Sequence, residues 1–246
     1  MGGHLDADLA ARVRVLEIWR YPVKSLQGER LTTAEVGVEG IAGDRGWALF
    51  DSATGFGLTA RRVPDLLFAS ARLVGDRPEV VLPDGTVTDD DAVLSSWVGR
   101  PVQLRPASFS GERHYENPAD LETESRWDPF AGADGAFHDN AGARVTLLST
   151  GSTRDWAPRR FRANVLLDGS GEDALVGSRV RLGTTVLDVG MHVDRCVMTT
   201  RPQPGGIGRD TGVLKTIHRE HDGTLSVGAV PVTPGRIAAG DELRGD

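Results

Sequence analysis

Short runs of alternating apolar and polar residues, each cut off within a few positions by glycine, proline or aspartate, constrain this chain more than any other feature. Arg12-Val13-Arg14-Val15 alternates, as does Thr33-Ala34-Glu35-Val36-Gly37-Val38, and Gly46-Trp47-Ala48-Leu49-Phe50 runs into a turn over Asp51 to Gly55. Leu67 to Val74 and Pro78 to Leu82 follow, and Pro83-Asp84-Gly85 supplies hairpin chemistry before Thr86-Val87-Thr88. Strands this short and this close together predict a barrel or a sandwich. A length of 246 residues allows one large domain or two small ones.

Helical signals are few. Asp89-Asp90-Asp91 can cap and charge a helix start ahead of Ala92, Val93 and Trp97, with Gly99 as its stop. Asp210 to about Glu220 places Val213, Leu214 and Ile217 on one helical face. Between residues 106 and 136 the chain turns polar and irregular, with Pro106, Pro118 and Pro129, and a domain boundary is expected there, dividing residues 12–112 from 113–246. Strands are then expected at Arg144 to Leu148, Phe161 to Leu167, Ser178 to Leu182, Thr185 to Val189 and His192 to Thr199.

Composition removes whole classes of function. A single cysteine, Cys196, cannot build an intramolecular disulfide, a four-cysteine zinc site or an iron-sulfur cluster. Only Lys24 and Lys215 are lysine among 28 basic residues, so nearly every cation is a planar guanidinium suited to carboxylates and phosphates, a bias that a GC-rich genome alone can produce. The net charge of -7 is spread over both halves, so no nucleic-acid partner is expected. The N-terminal stretch carries charge throughout, and Asp6 stands where a myristoylation pattern wants Ser or Thr. No run approaches the ~18 apolar residues of a membrane span, and the expectation is a cytoplasmic protein with no membrane association.

Generic motifs are absent. There is no P-loop, no HExxH and no nucleophile elbow, and no glycine-rich stretch opens a helix in the manner of a dinucleotide fingerprint. His218 and His221 could share a helical face, but at a polar helix end they read as solvated residues complementing the dipole. Cys196 lies in Met191-His192-Val193-Asp194-Arg195-Cys196-Val197-Met198. A strand there would put His192, Asp194 and Cys196 on one face. Same-face neighbours sit roughly 6 to 7 Å apart, too far for the hydrogen bond of a Cys-His hydrolase. Two readings stay open: a buried structural thiol, or a thiolate ligand favoured by the adjacent Arg195.

Two groups of residues carry a family resemblance. Tyr21-Pro22-Val23-Lys24-Ser25-Leu26-Gln27-Gly28, Gly40-Ile41-Ala42-Gly43-Asp44-Arg45-Gly46-Trp47 and Leu58-Thr59-Ala60-Arg61 resemble the N-terminal β-barrel domain that precedes a MOSC domain. Phe161-Arg162-Ala163-Asn164, followed by Asp194-Arg195-Cys196-Val197-Met198-Thr199-Thr200, resembles the MOSC domain itself, the C-terminal module of molybdenum cofactor sulfurases. The likeness runs over roughly residues 12 to 244, and in layout it is similar to the mitochondrial amidoxime reducing component and its bacterial relatives. It implies a mostly β fold with a few short helices: an N-terminal β-barrel-like domain over 12–112 and a MOSC β-barrel domain over 113–246.

The resemblance further implies a molybdenum–molybdopterin cofactor, with Cys196 as the catalytic residue and the one protein ligand to the metal, a soft donor suited to it. Lys24, Ser25, Arg45, Arg162, Asn164 and Arg195 would line the cofactor, whose phosphate and polar ring call for charge-assisted donors. The implied activity is a molybdenum-dependent reduction of N-hydroxylated small molecules such as amidoximes and hydroxylamines, with electrons from an external reductase or ferredoxin. The alternative is a cofactor carrier or sulfur-relay module working through Cys196, and the expected assembly is a monomer. Three positions depart from the family pattern. Ala163 stands where proline is usual, Asp194 where a small polar residue is common, and Gly228 where some relatives carry an aromatic residue. An acid at 194 is either neutralised by Arg195 or turned toward substrate. No aminotransferase-like domain is present in the sequence, so pyridoxal-dependent desulfuration is not expected.

Overall fold

A computed structural model describes residues 13–119 and 125–246 of the chain. The N-terminal readings, including the start of the first alternating run at Arg12, lie outside the described residues. In chain order the structure opens with β1 (Val15–Arg20), β2 (Glu29–Leu31), β3 (Thr33–Gly37), β4 (Gly40–Ile41) and β5 (Trp47–Asp51). β6 (Ser70–Val74), β7 (Arg77–Val81), β8 (Val87–Thr88), helix α1 (Asp91–Val98) and β9 (Val102–Pro106) follow. Next come β10 (His114–Pro118), β11 (Trp127–Ala131), β12 (Val145–Ser149), the single turn α2 (Thr150–Thr153), β13 (Val165–Leu167) and β14 (Ser178–Leu182). β15 (Thr185–Asp194), α3 (Gly212–His221), β16 (Thr224–Thr233), β17 (Gly235–Ala238) and β18 (Arg244–Gly245) complete the fold.

The protein is mostly β with three short α-helices, as the patterning predicts. Eight strands form a sheet in the order β18-β14-β15-β16-β12-β13-β1-β2, curled into a half-barrel. β12 and β13 are parallel, while β1 pairs antiparallel with β13. Sequence separation therefore does not follow the layers: Val15 and Ile18 from the chain's start are buried among Val145, Leu147, Val189 and Val227. β3 likewise pairs with β17 near the C-terminus. A second core, built from Leu26, Leu49, Leu58, Leu66, Val80 and Leu94, fills the space between β5–β9 and β6–β7–β8.

Helix α1 forms where its signals lie. The Asp90 carboxylate accepts from the backbone N–H of Ala92 and Val93, and Gly99 closes the helix in the left-handed region. Helix α3 buries Val213 and Ile217, leaving Leu214 half-covered. No helix among the described residues is long and apolar enough to cross a membrane.

Several expected strands change character. Pro64–Phe68 is a 3-10 turn, so the strand expected from Leu67 starts at Ser70. Pro158–Phe161 is also a 3-10 turn, and the strand expected from Phe161 begins only at Val165. The two strands expected either side of Gly190 are one, β15, which ends at Asp194 and is followed by a 3-10 turn over Val197–Thr200. Proline at the first or second position of the first two turns favours a helical start there, and the Arg162 N–H closes the second by donating to the Arg159 carbonyl. The segment expected to be irregular, 106–136, holds the β10–β11 ladder among its described residues, with Tyr115 opposite Phe130.

Gly28 marks a close approach of chains beside the first site loop. A Cβ there would lie 2.2 Å from the carbonyl oxygen of Arg20 and 2.7 Å from the Tyr21 ring. Backbone cannot yield cheaply, so Gly28→Ala is expected to lower unfolding free energy by about 2 kcal/mol in urea melts.

Candidate functional site

Two loops of the N-terminal half are stitched to each other before any side chain reaches the site. The Tyr21 N–H donates to the Asp44 carboxylate at 2.7 Å, the Arg45 N–H to the Tyr21 carbonyl at 2.7 Å, and the Lys24 N–H to the Trp47 carbonyl at 2.8 Å. Ser25, Arg45 and Arg162 all take positive φ, at 70°, 51° and 54°. Each costs on the order of 1 kcal/mol without glycine, so surrounding contacts must hold them there. For Ser25 one such contact is its Oγ, which accepts from the Ala60 N–H at 3.0 Å.

These loops, the 158–162 turn and the end of β15 enclose a cleft of about 360 Å³. Lys24, Ser25, Arg45, Arg162, Arg195 and Cys196 all line it. Asn164 does not. It is fully buried behind the wall, where its Oδ1 accepts from the Thr146 N–H at 3.2 Å and the Thr146 hydroxyl at 3.0 Å, and its Nδ2 donates to the Trp19 carbonyl at 3.2 Å.

The cations are fixed in several ways. Lys24 is 6% exposed, and its Nζ donates to the Phe137 carbonyl at 2.9 Å and to Asp139 at 2.6 Å. Burial pushes the lysine below its usual pKa, opposed by Asp139. Burial by itself would raise the pKa of Asp139, but Lys24, then Arg61 and Arg45, hold its carboxyl well below the usual range. The Asp139 side chain remains 64% exposed, so water screens this pair. Arg45 pairs with Asp44 and donates to the Arg162 carbonyl at 3.3 Å. Arg162 lies over the Tyr21 ring at 4.3 Å with Arg45 at 5.2 Å, and it donates to the Leu26 carbonyl. Burial raises Tyr21 to about 12, keeping it a neutral phenol between two guanidinium groups. Arg195 donates to the carbonyls of Leu225 (2.7 Å) and Phe161 (2.9 Å) and to the Ser226 hydroxyl. Burial pushes Arg162 and Arg195 down to about 10, which leaves both charged at neutral pH.

Cys196 is a free, partly exposed thiol just beyond β15. Its carbonyl accepts from the Thr199 N–H at 3.1 Å and the Thr199 hydroxyl at 2.9 Å, which anchors the following turn. The thiol is not on a strand with His192, whose ring instead lies 3.4 Å from Asp173. Asp194 is exposed and lines the cleft, while the Arg195 guanidinium donates to the Leu225 and Phe161 carbonyls. Gly228 is buried in β16, where a Cβ would meet Ala143 at 2.7 Å, leaving no room for an aromatic ring. Among the described residues there is no cluster of three His, Cys, Asp or Glu side chains, and His218 and His221 lie in the last turn of α3.

Other lining residues escaped the sequence reading: Arg61, Asn117, His138, Asp139 and Arg160. His138-Asp139-Asn140 is a polar triplet in an otherwise small-residue stretch, and Arg160 belongs to the cationic run Arg159-Arg160-Phe161-Arg162. Those clusters were the available signals. His138 is 4% exposed with its Nε2 3.1 Å from the Glu39 carbonyl, an acceptor only, so Nε2 carries the proton and Nδ1 is a bare acceptor. Burial, with help from the Arg45 cation, lowers His138 to about 4. The unfolded chain takes up this proton near pH 6.5 and the folded chain only near 4, so the contribution is complete above 6.5 and disappears as pH falls to 4. His138→Gln should remove up to about 3 kcal/mol of acid destabilisation across that window, read from urea melts at pH 4.5 and 7.

Two barrel-type units and one cationic cleft that also carries a single thiol define a two-domain β-barrel protein. Residues 12–120 match the MOSC N-terminal beta barrel domain and residues 131–244 match the MOSC domain, and the chain belongs to the MOSC family. The MOSC domain is associated with molybdenum cofactor binding and sulfurase-like function. No curated protein matches the chain. Among solved structures it is similar to the YUAD protein from Bacillus subtilis, at 12% identity over 94% of this chain and 93% of that one, with a TM-score of 0.43. YiiM from Geobacillus stearothermophilus is similar at 15% identity over 43% of this chain and 55% of that one, with a TM-score of 0.35.

Proposed function

We propose that this chain holds a molybdenum–pterin cofactor in the cationic cleft, with Cys196 as the protein ligand to the metal, and reduces N-hydroxylated small molecules with electrons from a separate reductase or ferredoxin. The observation that carries the reading is one free thiol opening onto the same cleft as six cationic side chains: Lys24, Arg45, Arg61, Arg160, Arg162 and Arg195.

The residues fit such a group. Thr59 Oγ1, Arg61 Nε, Asn117 Oδ1 and Arg160 Nε are buried polar atoms of the cleft wall with no protein partner, and unpaired polar groups of this kind call for a ligand or water. The donor set joins one soft sulfur to hard cations, matching a soft metal attached to an anionic, polar carrier. When bound, the cofactor supplies two-electron redox chemistry and a Lewis-acidic metal.

The chain's own groups do the rest. Lys24 and the arginines neutralise the anionic carrier, and the backbone bonds of Arg195 keep that side chain from folding over the thiol. His138 Nδ1 presents an acceptor to a ring N–H. Met191, Val193 and Phe161 give the cleft an apolar flank that limits water. A second reading, a cofactor carrier or sulfur relay, draws on the partial exposure of the Cys196 thiol, which leaves it open to a partner protein.

Elemental analysis for molybdenum, with dye-coupled reduction of benzamidoxime by the loaded chain, tests the first reading. A loaded chain that turns over no N-hydroxylated compound, together with a persulfide on Cys196 by mass spectrometry, would establish the relay instead.

A further inference from the structure

Asp194 is an anomaly in its surroundings. The cleft presents six cations and two carboxylates, and one of those, Asp139, is held by Lys24 and Arg61. Asp194 makes no ion pair among the described residues and is exposed at the end of β15, two residues before Cys196. Its aim is built into the sheet. Met191, Val193 and Asp194 all line the cleft, although strict strand alternation would send Val193 and Asp194 to opposite faces. The pairing of β15 with β16 shifts register between His192 and Asp194, opposite Ser226, which takes φ 74° and accepts a hydrogen bond from Arg195. A bulge held by the half-buried Arg195 thus leaves Asp194 in the lining of a cation-rich cleft.

We infer that Asp194 is a specificity-determining residue that selects ligands with an amidinium- or guanidinium-type head on an apolar body. The planar cation meets the carboxylate, and Met191, Val193 and Met198 cover the apolar part. This inference rests on the reading of the cleft as a substrate site and ranks its ligands by charge, cationic heads ahead of neutral ones. The same carboxylate repels anionic ligands from the thiol's side of the cleft while the arginines attract them deeper in.

Benzamidine and its neutral isostere benzamide, titrated calorimetrically into the purified full chain with and without the pterin cofactor, test it. Benzamidine is expected to bind roughly fivefold or more tighter than benzamide. Asp194→Asn should bring the two within about twofold by weakening benzamidine alone, while Asp194→Glu keeps most of the preference. Equal affinities in the parent chain, or a benzamidine affinity unchanged in Asp194→Asn, would overturn the inference. Because the readout is binding, it is separate from turnover. A chain that prefers benzamidine through Asp194 yet reduces nothing refutes the reductase reading and leaves this one standing.

Discussion

Cys196→Ala is expected to reduce the molybdenum content of the purified chain by roughly tenfold or more while its melting temperature moves by less than about 3 °C. The two halves of that result have different causes. On the proposed reading metal retention depends on the one thiol in the cleft, and alanine removes it without leaving a charge or polar atom to substitute. Stability does not depend on the sulfur, because the turn after β15 is anchored through the Cys196 carbonyl, which alanine keeps. The residue is partly exposed and belongs to none of the buried apolar clusters. Inductively coupled plasma mass spectrometry and a thermal melt on the same sample read both halves. Metal retained at the parent level would remove Cys196 from the coordination sphere.

Asn164→Leu has the opposite signature. The resemblance sets this residue at the cofactor, but its amide is consumed inside the wall, tying β12 to the chain around Trp19 and the 162–164 segment. Leucine of similar volume leaves the Thr146 N–H, the Thr146 hydroxyl and the Trp19 carbonyl short of a partner in a site with no solvent access. Stranding several buried polar groups at once is expected to cost about 3 to 4 kcal/mol, and at this chain length that lowers the melting temperature by about 10 °C. The fraction that stays folded should still bind cofactor, because no cleft-lining atom is removed. A variant that melts like the parent but fails to take up pterin would reverse this assignment and return Asn164 to the ligand shell.

Much of the architecture was legible because it is local. Alternation over Thr33–Val38 and Ser178–Leu182 becomes β3 and β14, since a half-buried pleated surface needs that period. The Asp90 cap and the Gly99 stop were readable from their chemistry alone. Phe161 to Asn164 and Val197 to Thr199 were misread as strands, because apolar and β-branched residues mark burial as well as extension. Short 3-10 turns satisfy the backbone there through contacts that periodicity does not register. The 106–136 stretch looked structureless because the β10–β11 ladder carries prolines and charges. Those residues suit an edge ribbon whose anchoring comes from elsewhere, as with Arg62 4.4 Å from the Trp127 ring centroid.

The sequence by itself determined the β class, the capped helix α1 and the apolar face of α3, the lone thiol and the family motifs, all properties of residue type and short spacing. It could not determine that β1 joins a sheet built mostly from the chain's second half, that β3 pairs with β17, or that Lys24 would be paired with Asp139 across 115 positions. Nor could it determine that the Asn164 amide is bonded inside the wall while Asp194 is exposed at the cleft. Those outcomes depend on which buried polar groups find partners once distant segments close on one another, and only the packed tertiary structure brings those partners within reach.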